Sequence, residues 1–167
     1  MKKKKQNKGL TLVELLVAMT IFVVVISVVL NLFTIGLRNQ RKVIALQNVQ
    51  DNARFLLGFI AKEIRMSQIN SVSATNLDIT RHDGTNVVYT FDAVEKQIER
   101  NDGSISGPIN SDEVLVNGSF YGLGIGSGDG QQPRITIVMK VETTGLKTEE
   151  KAEIDIQTTL NPRNLEL

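Results

Sequence analysis

The feature that most constrains this chain is a stretch without charge from Leu15 to Leu37, reading LLVAMTIFVVVISVVLNLFTIGL. Only Thr20, Ser27, Asn31, Thr34 and Gly36 interrupt its apolar character over 23 residues. As an α-helix rising ~1.5 Å per residue it would be ~35 Å long, enough to cross a ~30 Å hydrocarbon core. Val and Ile are indifferent helix formers in water. In lipid every backbone group needs an internal partner, so the helix is the expected outcome. A cleaved secretory signal has a shorter apolar core of ~7–15 residues and ends at a small-residue cut site, which TIGLRNQ does not supply. The segment therefore reads as a spanning anchor. Five lysines precede it, whereas Arg38, Arg41 and Lys42 follow. That bias places the N-terminus in the cytoplasm and the body of the chain outside.

The formal net charge of +1 conceals a division. Residues 1–9 carry five lysines and no acid, which leaves the remaining chain at −4. An acidic body is a poor match for a phosphate backbone, so nucleic acid is not an expected partner. The chain has no Cys, which excludes disulfides and thiolate metal sites, and no Trp.

Gly9 and Glu14 need a separate explanation. A carboxylate at the centre of a membrane helix costs ~2.5–3.5 kcal/mol, and less at the edge, where Glu14 lies. A cut after Gly9 would make Leu10 the new N-terminus, with Glu14 one helical turn away. Side chains lean toward the helix N-terminus, so the carboxylate would face a newly made ammonium, its own or a neighbour's. Glycine before the cut suits close approach by a protease.

The segment KGLTLVELLVAMTIFVVV resembles the N-terminus of type IV prepilins and type II secretion pseudopilins. Members of that family have a short basic leader ending in glycine, an apolar first mature residue, and glutamate at the fifth mature position. Gly9, Leu10 and Glu14 correspond to these, within the matching context Thr11 to Leu16. The resemblance implies cleavage between Gly9 and Leu10 by a prepilin peptidase, N-methylation of Leu10, and pairing of Glu14 with the N-terminal amine of an adjacent subunit. It also implies three kinds of partner: the peptidase, the inner-membrane assembly machinery, and other pilin-like subunits meeting through the N-terminal helix. In low dielectric such a pair attracts strongly, although desolvation offsets much of it, so it serves register more than stability. Two departures stand out: Leu10 replaces the commoner Phe, and no proline lies near Asn31, where many members have one.

Beyond the span, Leu46, Val49, Ala53, Leu57, Ile60 and Ile64 recur at three- and four-residue steps among polar residues. No proline occurs from Met1 to Asn70, so one helix is expected from about Leu10 to Ser67, with Gly36 and Gly58 as candidate bends. After Asn70 the signals are β. Leu77–Thr80 and Asn86–Asp92 flank the turn RHDG and read as a hairpin. KQIER precedes the turn NDGS, and EVLVNGSFYG reads as a strand pair or a bent strand. RITIVMKVE alternates Ile135, Ile137, Met139 and Val141 with polar residues, and AEIDIQTTL answers it with Ile154, Ile156 and Leu160 to form a long antiparallel hairpin. The expected class is α+β, a long N-terminal helix packed against an antiparallel sheet. The expected division is a basic leader (1–9), a transmembrane or filament-core helix (10–37), an amphipathic stem (38–70) and a β-rich head (71–167). DNARFLLGFIAKEIRMSQ and QTTLNPRN resemble the stem and C-terminal strand of minor pilins and minor pseudopilins, which implies a minor component.

No catalytic constellation emerges. His82 is the only histidine and falls in a turn beside Asp83, so it is read as an exposed turn residue. GLGIGSGDGQQ is followed by a strand pattern, unlike a phosphate-binding loop, and reads as a loop. Asp102, Asp112 and Asp129 offer oxygens to calcium in principle, but their spacing matches no EF-hand. No cofactor is expected. The chain therefore reads as a non-enzymatic, membrane-stored subunit of a type IV pilus or type II secretion pseudopilus. The alternative is a non-polymerising, single-pass envelope protein whose extracytoplasmic head binds a ligand or partner.

Overall fold

The computed structural model describes residues 11–125, 132–145 and 151–163. Its order is one helix followed by eight strands, and the chain divides between Gln40 and Arg41 into two compact units.

The helix α1 spans Leu12–Arg65 and passes through both Gly36 and Gly58. Its N-terminal part is exposed on every side, as an apolar helix without a protein neighbour must be. In the second unit the same helix buries one stripe: Ala45, Val49, Ala53, Leu56, Ile60 and Ile64. This corrects two positions of the expected stripe. Leu46 is exposed and Leu57 only half-buried, while Ala45 and Leu56 take the core-facing places. Apolar residues occupy adjacent positions there, and the sheet selects the face on which steps of three and four stay in line.

The helix ends at Arg65, two residues before the expected Ser67. Ser67–Val72 forms strand β1, so residues 67–70 are sheet rather than stem. The last turn tightens, the Met66 N–H donating to the Glu63 carbonyl at 3.1 Å. The Arg65 carbonyl accepts from the Arg163 N–H at 3.1 Å, so the C-terminal segment supplies a partner that the helix end lacks. Lys62 and Arg65 complement the negative end of the helix dipole.

One sheet was expected and two are found, both antiparallel with strands in chain order. The first comprises β1, β2 (Asn76–Arg81), β3 (Asn86–Asp92), β4 (Gln97–Asn101) and β5 (Ser106–Pro108). The second comprises β6 (Val114–Leu123), β7 (Arg134–Thr143) and β8 (Glu153–Leu160). The β2–β3 hairpin matches the expectation within a residue or two, with Ile79 opposite Val87 and Leu77 opposite Tyr89. Its turn uses Gly84 at φ 83°, and Asp83 Oδ1 accepts the Thr85 N–H at 2.9 Å. His82 lies exposed in that turn. The 114–123 segment is a single ten-residue strand in unbroken register with β7, rather than a strand pair.

The core forms where the inner faces of both sheets meet the helix stripe. Ile135, Ile137, Met139 and Val141 all point inward, as their alternation requires. Each such side chain contributes about 1.5–3 kcal/mol through burial. Phe91 and Phe120 meet across the two sheets with ring centroids 4.6 Å apart. Gly118 makes that approach possible, because a Cβ there would lie 2.5 Å from the Val138 carbonyl oxygen and 2.7 Å from Phe91 Cζ. Strand β6 also donates to the first sheet's connections, from Val116 to the Lys96 carbonyl and from Phe120 to the Ala74 carbonyl.

Candidate functional site

The N-terminal segment holds the residues that the sequence singles out. Gly9 and Leu10 lie outside the described residues, and so does Asp129. The described chain begins at Thr11, immediately before the first helical residue. The Glu14 N–H donates to Thr11 Oγ1 at 3.3 Å, and the Leu15 N–H donates to the Thr11 carbonyl at 3.1 Å. Thr11 is therefore the N-cap of α1 and Glu14 its third helical residue, the T-x-x-E spacing of a capping box. The carboxylate sits in the first turn, where the helix dipole favours negative charge. Sequence reasoning treated Glu14 only as a partner for an amine. The cap is legible in the same four residues, as T-x-x-E before an apolar run.

The following span has no buried residue and is long and apolar enough to cross a membrane. Its three hydroxyl side chains bond within the helix. Thr20 Oγ1 donates to the Val17 carbonyl, Ser27 Oγ to that of Val23 and Thr34 Oγ1 to that of Leu30, each at 2.8 Å. A hydroxyl bonded within its own helix presents mainly its carbon atoms outward, which removes most of the cost of placing it in lipid.

In the second unit a polar assembly without any signal in the sequence joins helix and sheet. Glu63 on α1 accepts from Arg100 on β4, Oε1 from Nη2 at 3.0 Å and Oε2 from Nε at 3.2 Å. Tyr89 on β3 donates its hydroxyl to the same carboxylate, and Arg100 Nη1 reaches Asp102 Oδ2 at 2.8 Å. The guanidinium also lies 5.9 Å from the ring centroid of Phe59. Glu63 and Arg100 retain only 13 % side-chain exposure each. Burial, reinforced by the neighbouring Glu63 carboxylate, pushes the Tyr89 phenol far above its ordinary range. The Arg100 guanidinium, helped by the N–H groups of Ile105 and Ser104, pulls Asp102 down to about 2. With a phenol held protonated and a carboxylate already paired, this cluster ties helix to sheet and carries no poised acid or base. No local signal joins Glu63 to Arg100, which are separated by 37 residues.

Asp102 is thus occupied by Arg100 and by its own turn. Among the described residues no group of three or more His, Asp or Glu side chains is placed to hold a metal ion.

Comparison with known proteins agrees with the N-terminal geometry. No curated protein and no solved structure matches the chain. Residues 4–30 match the family model described as the prokaryotic N-terminal methylation motif. The match covers Lys4, Lys5, Lys8, Gly9, Leu10, the Thr11 cap, Glu14 and most of the apolar span. The N-terminal segment of this chain is therefore a prokaryotic N-terminal methylation motif, of the kind typical of type IV pilins and pseudopilins, continued by a helix apolar enough to anchor the chain in a membrane.

Proposed function

We propose that the chain is a pilin-like structural subunit of a type IV pilus or type II secretion pseudopilus, present as a minor component. It is inserted with its N-terminus in the cytoplasm and its head outside. A prepilin peptidase cuts between Gly9 and Leu10, Leu10 is N-methylated, and assembly machinery in the inner membrane draws the subunit into a filament. The proposed division is a leader (1–9), a core helix (10–37), a stem running to the helix end at Arg65, and a β-rich head.

The observation that carries this reading is the methylation motif over residues 4–30, with Glu14 in the first turn of an exposed apolar helix. After cleavage the Leu10 ammonium would lie about one turn from a carboxylate. In a bundle of such helices each carboxylate has reason to seek a cation from its neighbour. The test is the N-terminal mass of the protein from native membranes, expected to lack residues 1–9 and to carry one added methyl.

One observation favours a second reading. Glu14 lies in the first turn of α1, where the helix dipole favours a carboxylate, and that accounts for a glutamate at this position without any amine partner. A non-polymerising anchored protein would keep the glutamate for that reason alone. Paired variants separate the two. If Glu14 only complements the helix dipole, Glu14→Ala does no more than loosen the first helical turn, as Thr11→Ala does. If it recruits an ammonium, Glu14→Ala loses filament incorporation while Thr11→Ala retains it.

A further inference from the structure

A groove of about 960 Å³ opens in the second unit between the C-terminal third of the helix and strand β8. Its floor is apolar, formed by Leu57 and Gly58 on the helix and by Ile154 and Ile156 on the strand. Both isoleucines are only half-buried, although they lie on the inward face of β8. Four cations surround this floor: Arg54, Lys62, Arg65 and Arg163. All four are exposed, and none of them is ion-paired among the described residues. Among the described residues no Asp or Glu lines the groove. That imbalance is unexpected in a body whose acids outnumber its bases.

The strand adds a third property. Among the described residues β8 pairs only with β7, so its other edge carries backbone donors and acceptors without a strand partner. An open strand edge, an apolar floor with alternate-residue spacing and an unpaired basic rim together describe a receptor for an extended chain. We infer that this groove takes an acidic segment of another protein as an added strand beside β8. Its apolar residues enter between the helix and Ile154 and Ile156, and its carboxylates meet the four cations. An anionic lipid surface would use the cations but leave the apolar floor and the strand edge without a role. The inference concerns what the head binds and goes beyond the filament reading; it stands whether or not the chain polymerises.

The test uses the full chain in zwitterionic detergent micelles and a fluorescein-labelled peptide of alternating valine and glutamate, followed by anisotropy. Saturable binding is expected, weakening as salt is raised, with no binding of the valine–lysine or serine–glutamate counterparts. Arg54→Ser with Lys62→Ser should weaken it by roughly tenfold, the effect of two largely solvated ion pairs. Both positions are exposed, so the variant should keep the circular dichroism spectrum and melting midpoint of the parent. Ile156→Lys, which fills the floor with charge, should abolish binding. Unchanged affinity in either variant overturns the inference, and equal binding of the valine–lysine peptide overturns it too. Displacement of the peptide by micellar phosphatidylglycerol at matched ionic strength, with no protection of β8 amides from exchange by the peptide, would identify the rim as a lipid contact and also overturn it.

Discussion

Replacing Arg100 with methionine is the most informative change to the head. The substitution keeps the unbranched apolar stem and deletes the guanidinium. Glu63 then loses two charge-assisted bonds, at 3.0 and 3.2 Å, and keeps only the Tyr89 hydroxyl. Removing one partner of a buried pair typically costs about 3–5 kcal/mol, because the remaining charge stays desolvated. With 13 % exposure on both side chains, the lower end applies, about 3 kcal/mol. For a unit of this size that is a fall in melting midpoint of about 10 °C. The assay is urea unfolding of the full chain in micelles. Tyrosine emission is the probe, since the chain has two tyrosines and no tryptophan. Adding Glu63→Gln should recover about 1–2 kcal/mol, because a neutral amide oxygen still accepts from Tyr89 and leaves no buried charge. A loss below about 1 kcal/mol for Arg100→Met, the range of an exposed pair, would refute the claim that this cluster clamps helix to sheet.

Other outcomes follow from the same structure. Gly118→Ala should destabilise the head by about 1–3 kcal/mol in the same unfolding assay, because its Cβ meets the rigid Val138 carbonyl and the Phe91 ring. Leu56→Ala, at a fully buried helix position, should cost about 2–5 kcal/mol. Asp102 is depressed to about 2 in the folded state against about 3.9 for a free aspartate, so its stabilising effect is full above the higher value and disappears as pH falls toward the lower. Acid unfolding should therefore show a component between about pH 4 and pH 2 that Asp102→Asn removes. Thr11→Ala should raise amide exchange in the first turn of α1, consistent with a cap of about 1 kcal/mol.

How much the sequence disclosed depended on how local each signal was. The apolar span, the β2–β3 hairpin and the inward face of β7 were legible because length, a DG turn and strict alternation act over a few residues. The end of the helix was not. Nothing in EIRMSQIN is Gly or Pro, and the chain leaves the helix there because β1 pairs with β2 and Arg163 satisfies the Arg65 carbonyl. The choice of Ala45 over Leu46 depended on which helix face the sheets meet, which periodicity alone cannot decide when apolar neighbours adjoin. The split into two sheets and the joining of Glu63, Tyr89 and Arg100 are long-range outcomes of packing. At the N-terminus the reverse held. Gly9, Leu10 and Glu14 stood out in sequence, and what the structure added was the Thr11 cap and the place of Glu14 in the first helical turn, where the dipole favours its charge.

The most direct test is an intact-mass measurement of the protein purified from the membranes of its native host. The account predicts a chain beginning at Leu10 with a single methyl on its α-amine. A chain that retains the lysine-rich leader, or one cut beyond Gly36, would contradict it.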